Sequence, residues 1–194
     1  MPNAYNLTPK TYHLTKPIAL KRIFLIGYMA CGKTTFGRAL ARKLGMDFID
    51  LDFYIEQRFR KSINEIFSEK GEEAFRRMET AMLREVGEFE DVIISCGGGT
   101  PCFNDNMDYM LERGDVVWLQ ASVERIVQRL VINNVRRPLM KGKSEEDMRL
   151  AVEEGLRNRQ QHYSRANIHF GSDMLEDRRQ INNTIAEFIQ KYPI

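Results

Sequence analysis

The chain has 194 residues, 43% hydrophobic and 29% charged, with a formal net charge of +2. That length fits one domain with a substantial core, and the near-neutral balance gives no electrostatic case for nucleic acid or a membrane surface as a partner. No apolar run reaches the ~20 residues of a membrane span, and residues 1–20 lack the pattern of a secretory leader. Three cysteines (Cys31, Cys96 and Cys102) without a pairing framework fit a reducing compartment, so a cytoplasmic protein is expected.

Residues 1–20 show no clear period and read as an N-terminal extension to a single domain over 21–194. Arg22-Ile23-Phe24-Leu25-Ile26 is a short apolar run and predicts a buried strand. The next residues, Gly27-Tyr28-Met29-Ala30-Cys31-Gly32-Lys33-Thr34, match G-x-x-x-x-G-K-[ST]. Apolar residues at helical spacing follow, and predict a helix over 33–44. Strand, loop and helix together are the context of a phosphate-binding loop. Further strands are expected at 47–51, 92–95, 116–120 and 167–170. Further helices are expected near 53–60, 63–69, 72–87, 104–113, 122–133, 145–163 and 176–191. Ser62-x-x-Glu65 and Ser144-x-x-Asp147 read as capping boxes, and Gly71 and Gly114 sit where helix-ending glycines belong. Alternating strands and helices imply an α/β fold with a parallel sheet covered on both faces. Two stretches depart from the alternation. Residues 52–88 place several helices between two strands, as a substrate-holding insert would. Residues 134–145 hold the basic run Arg136-Arg137-Pro138-Leu139-Met140-Lys141, as a mobile lid would.

The chemistry-bearing residues gather around the loop. Backbone N–H groups of the loop and the helix N-terminus suit phosphate oxygens. Lys33 would reach the phosphates and Thr34 would ligate Mg²⁺. Asp50-Leu51-Asp52 ends the second strand, and alternation would put both carboxylates on one side. One could hold Mg²⁺ through water, and the other could take the proton of an attacking hydroxyl. A plain helix N-cap at Asp52 is the local alternative. Arg76 and Glu79 are i,i+3 neighbours, so Glu79 can orient Arg76, although spacing alone favours a solvated surface pair. Gly97-Gly98-Gly99 follows the third strand and lets backbone approach a ligand. An arginine from the lid could stabilise charge on a transferred group. Cys31 stands near a helix N-terminus, which tends to activate a thiol. A small filler is the favoured reading, and alkylation blocked by ATP would mark an exposed thiol. No N-K-x-D base-recognition motif occurs, which argues against a GTPase switch.

Taken together these motifs resemble shikimate kinase, from about Arg22 to the C-terminus. They run G-Y-M-x-x-G-K-T, D-L-D, Gly71-Glu72-Glu73-Ala74-Phe75-Arg76-Arg77-Met78-Glu79, G-G-G, R-P-L and R-x-x-x-Y, in that order. The resemblance implies a three-layer α/β/α P-loop kinase with a five-stranded parallel sheet of order 2-3-1-4-5. It implies ATP and Mg²⁺ as cofactors, shikimate as the small-molecule substrate, and a monomer. Residue by residue, Gly27, Met29, Ala30, Cys31, Gly32, Lys33, Thr34, Thr35, Arg129 and Arg137 would bind the nucleotide. Thr34 and Asp50 would hold the metal. Lys33, Asp52 and Arg137 would be catalytic. Asp52, Arg76, Gly97, Gly98, Gly99 and Arg159 would bind shikimate.

Two departures from the family pattern stand out. Ala30 sits where a third loop glycine is common, and its methyl group requires φ below zero. The usual R-x-P-x-Y lacks its proline at Arg159-Gln160-Gln161-His162-Tyr163. Arg157 therefore rivals Arg159, and on a helix the two point roughly 200° apart.

Overall fold

A computed structural model describes residues 21–132 and 144–193. Five strands, β1 (Arg22–Ile26), β2 (Asp47–Asp50), β3 (Val92–Ser95), β4 (Asp115–Gln120) and β5 (Ile168–Gly171), form one sheet in the order β2-β3-β1-β4-β5. Every pairing is parallel. The helices are α1 (Lys33–Leu44), α2 (Leu51–Phe59), α3 (Ile63–Val86), α4 (Asn106–Arg113), α5 (Val123–Ile132), α6 (Glu145–Tyr163) and α7 (Arg178–Lys191). The expected α/β architecture and strand order are both present.

The parallel sheet explains why the strands read as solid apolar runs. Both faces are covered, so both sets of alternate side chains must be apolar. Phe24, Ile26, Val92, Ile94, Val116 and Trp118 pack on one face with α3 and α4. Ile23, Leu25, Ile93, Val117 and Leu119 pack on the other with α1 and α7. Each fully buried side chain of this size contributes roughly 1.5–3 kcal/mol. Phe36, Phe170 and Phe188 form an aromatic cluster on the second face, with Phe36 edge-on to Phe188 at 5.2 Å.

Local signals set the helix ends. Both capping boxes form: Ser62 with Glu65 at the start of α3, and Ser144 with Asp147 at the start of α6. Gly71, at φ 76° and ψ 171°, breaks α3 into the two pieces expected around it. Gly114 differs from expectation. Its backbone is extended rather than left-handed, and glycine is needed there because a Cβ would lie 2.3 Å from the Arg22 carbonyl oxygen. The second strand stops at Asp50, one residue early, because Asp50 caps α2 by accepting from Phe53 N–H. Asp52 is therefore in the first turn of α2, and the N-cap, the local alternative for Asp52, is Asp50 instead.

The phosphate loop carries backbone strain. Ala30 adopts φ 60°, so the expectation that its methyl group keeps φ negative fails. The left-handed region costs a non-glycine residue ~1–2 kcal/mol. Part of that is offset by the unfolded-state freedom a glycine would add. Ala30→Gly should therefore stabilise the protein by about 0.5–1 kcal/mol, seen as a higher urea midpoint with an unchanged m-value.

Candidate active site

Parallel pairing brings three strand ends to one edge. Asp50 pairs with Ser95 and Leu25 pairs with Ser95, so the phosphate loop, the start of α2 and the triglycine loop emerge side by side. Ligands in such sheets bind at the carboxyl ends of the strands. Here that edge forms a cleft of about 650 Å³.

At one end stands the phosphate loop. Met29, Ala30, Gly32, Lys33, Thr34 and Thr35 line the cleft. The Lys33 ammonium donates to the carbonyl oxygens of Gly27 at 2.8 Å and Tyr28 at 3.0 Å. Thr34 Oγ1 donates to Asp50 Oδ2 at 2.9 Å. A hydroxyl and a carboxylate at a helix N-terminus are hard oxygen donors of the kind Mg²⁺ takes. Among the described residues no group of three His, Cys, Asp or Glu side chains converges on a metal position. Gly27 and Cys31, expected with the other loop residues to bind the nucleotide, do not line the cleft. Cys31 is only 1% exposed and packs within the core, which agrees with the small-filler reading and leaves no exposed thiol.

Arg129 closes the same end from α5. Its Nη1 donates to the Ala30 carbonyl at 3.3 Å, and its Nε and Nη2 donate to Glu176 Oε1 at 2.9 and 2.7 Å. It also donates to the Ser172 and Asp173 carbonyls. Glu176 gives no local signal in sequence, since an acid just ahead of α7 reads as a helix-terminal charge.

At the other end stand Asp52, Arg76, Glu79 and Arg159. Asp52 is open to the cleft mouth yet crowded by the walls around it. Removal from bulk water pushes its pKa up to about 6. The neighbouring Asp50 and Glu79 carboxylates add to the rise, and Lys33 opposes it. Glu79, 1% exposed, accepts from Arg76 Nη1 at 2.9 Å and from Thr100 Oγ1 at 2.6 Å. Spacing alone favoured a solvated surface pair here, but tertiary packing buries it. Glu72 takes Arg76 Nε and Nη2 at 3.3 and 3.1 Å. The Phe103 ring lies 4.0 Å from the guanidinium carbon, and Phe67 and Phe75 flank it at greater distance. Phe103 carried no functional signal in sequence, because its role comes from the fold bringing it over α3.

The triglycine loop fits between these groups. A Cβ on Gly97 would lie 2.8 Å from Asp52 Oδ1 and 3.0 Å from Glu79 Oε1. One on Gly99 would lie 2.8 Å from both Nη atoms of Arg76. Glycine at these two positions leaves the charged groups open to the cleft. Arg159 faces the cleft, donates to the Gly155 carbonyl at 2.7 Å and lies 5.2 Å from the Tyr28 ring centre. Arg157 is exposed and does not line the cleft. Arg137 and the lid range up to residue 143 lie outside the described residues, as do residues 1–20.

A family model described as shikimate kinase matches residues 29–190. The shikimate kinase of Phocaeicola vulgatus is 48% identical over 172 residues, covering 89% of this chain and 98% of that protein. That of Parabacteroides distasonis is 47% identical, covering 88% of this chain and 100% of its own length. The crystal structure of shikimate kinase from Bacteroides thetaiotaomicron superposes with a TM-score of 0.88 at 45% identity, covering 91% of this chain and 100% of that one. The structure of shikimate kinase from Acinetobacter baumannii in complex with shikimate gives a TM-score of 0.76 at 30% identity, covering 89% of this chain and 93% of that one. Identity near one half over almost the full domain, on the same fold, makes this chain a member of the shikimate kinase family.

Proposed function

We propose that this cleft transfers the γ-phosphoryl group of ATP to the 3-hydroxyl of shikimate, giving ADP and shikimate 3-phosphate, a step toward chorismate and the aromatic amino acids. One observation carries the reading. A single cleft holds a phosphate loop with its Thr34–Asp50 pair at one end, and a carboxylate with two arginines at the other. A phosphate donor and a hydroxylated acid fit those two ends.

The residue roles follow from the chemistry of each group. Lys33 and the loop N–H groups hold the phosphates. Thr34 and Asp50 hold Mg²⁺, which neutralises phosphate charge when bound. Asp52 orients the attacking hydroxyl and accepts its proton as the oxygen–phosphorus bond forms and the bond to ADP breaks. Arg76 and Arg159 bind the substrate carboxylate, for which a planar guanidinium is suited. Glu79 and Glu72 brace Arg76 and leave its remaining N–H groups toward the cleft. Arg129 borders the base, and Arg137 comes onto the ATP phosphates with a lid over 134–145. The helices over 52–88 are the substrate-holding insert. Positioning and electrostatics do the catalysis, with no covalent intermediate.

We take the enzyme to be a monomer, to be checked by light scattering. No helix among the described residues is long and apolar enough to cross a membrane, and we place the enzyme in the cytoplasm.

A coupled ADP-release assay with shikimate as acceptor tests the activity directly. Arg76→Ala should raise the shikimate KM by roughly 30- to 3,000-fold, the cost of unpairing a buried charge, and leave ATP binding nearly intact. An unchanged shikimate KM would remove Arg76 from the substrate site.

Asp52 predicts two pH effects. With its pKa raised to about 6, kcat/KM for shikimate should fall with unit slope below that pH. The folded state also holds this proton between the ordinary 3.8 and about 6, so Asp52 lowers stability as pH rises through that window. Asp52→Asn should thus abolish most turnover yet raise the melting temperature above pH 6, with no gain below about pH 4. Equal melting shifts at pH 4 and pH 8 would contradict the raised pKa.

A further inference from the structure

The peptide groups of the triglycine loop are held from behind. The Gly97 carbonyl accepts from Thr100 N–H at 3.1 Å. The Gly98 carbonyl accepts from the Tyr163 hydroxyl at 2.6 Å. No peptide here is cis, so the N–H that follows each carbonyl points the opposite way. Two held carbonyls therefore turn the N–H groups of Gly98 and Gly99 away from Thr100 and Tyr163. Among the described residues neither N–H has a hydrogen-bond acceptor, although both glycines line the cleft. Both glycines are half-buried in the cleft wall, and successive free N–H groups form a concavity that attracts anionic oxygen.

The surroundings give this arrangement a direction. The Arg76 guanidinium packs directly against Gly99, with both Nη atoms 2.8 Å from where a Cβ would stand. Tyr163 itself is fully buried, with its ring 5.6 Å from that of Trp118. Burial holds its hydroxyl well above the usual tyrosine pKa, so it donates at neutral pH. It also ends α6 one turn after Arg159, and so ties that helix to the triglycine loop.

We propose that Tyr163 is a positioning residue for the substrate, which through the Gly98 carbonyl aims the Gly99 N–H at a substrate oxygen beside Arg76. The proposal rests on the reading of the Arg76 end as the acid-binding end. It gives the lone hydroxyl of a core tyrosine a part in substrate affinity, with no contact of its own.

Tyr163→Phe tests this, because the ring stays against Trp118 and only the hydroxyl is lost. The shikimate KM should rise about 5-fold, the equivalent of ~1 kcal/mol for one net hydrogen bond. The ATP KM and kcat should stay nearly unchanged. In the ¹⁵N-labelled wild-type protein, shikimate should shift the Gly99 amide proton downfield, and the shift should shrink in the variant. An unmoved Gly99 amide in the wild type would overturn the proposal. So would an unchanged shikimate KM in Tyr163→Phe, even with a lower melting temperature, since that assigns the hydroxyl to stability alone. If Arg76→Ala raises the shikimate KM while Tyr163→Phe does not, the acid-binding end survives and the positioning role is lost.

Discussion

Parallel strand pairing is the constraint on which the site depends. In a parallel sheet all carboxyl ends lie at one edge. β1, β2 and β3 are neighbours, with Ser95 in register with both Leu25 and Asp50. The phosphate loop, the two aspartates and the triglycine loop are far apart in sequence, yet they open onto one cleft. The ladder of backbone hydrogen bonds, covered on both faces by apolar side chains, is what holds these three loops within reach of one ligand pair.

Inside that cleft the decisive forces are electrostatic. Removal from bulk water raises the Asp52 pKa, and the nearby Asp50 and Glu79 carboxylates raise it further. The cost of gathering them is met differently at each. Glu79 is buried but paired with Arg76 and Thr100. Asp50 takes the Thr34 hydroxyl and the α2 N-terminus. Asp52 has Lys33 as its opposing charge, and of the three it is the one poised to take a proton near neutral pH. A pKa near 6 suits the general-base role proposed for Asp52.

Space matters as much as charge. The guanidinium of Arg76 sits against Phe103, and two glycines give it and the carboxylates their clearance. The phosphate loop shows the reverse case. Ala30 occupies a left-handed backbone position that favours glycine, and its carbonyl is held by Arg129. That contact, with the Arg129–Glu176 pair, keeps the loop in a conformation its own sequence resists.

Much of this was legible in the chain. The phosphate loop, the strand and helix alternation, both capping boxes and the break at Gly71 are local, set within a few residues by backbone chemistry and hydrophobic period. The motif order carried the fold and the family. Tertiary structure alone decided the rest, because it depends on contacts between distant segments. It buried the Arg76–Glu79 pair that spacing alone read as a surface pair. It turned Arg159 rather than Arg157 to the cleft. It moved the helix cap from Asp52 to Asp50 and so changed why the two aspartates share a side. It hid Cys31 in the core. Glu176 and the Tyr163 hydroxyl gained partners 47 and 65 residues away, a separation across which neither periodicity nor capping carries any signal.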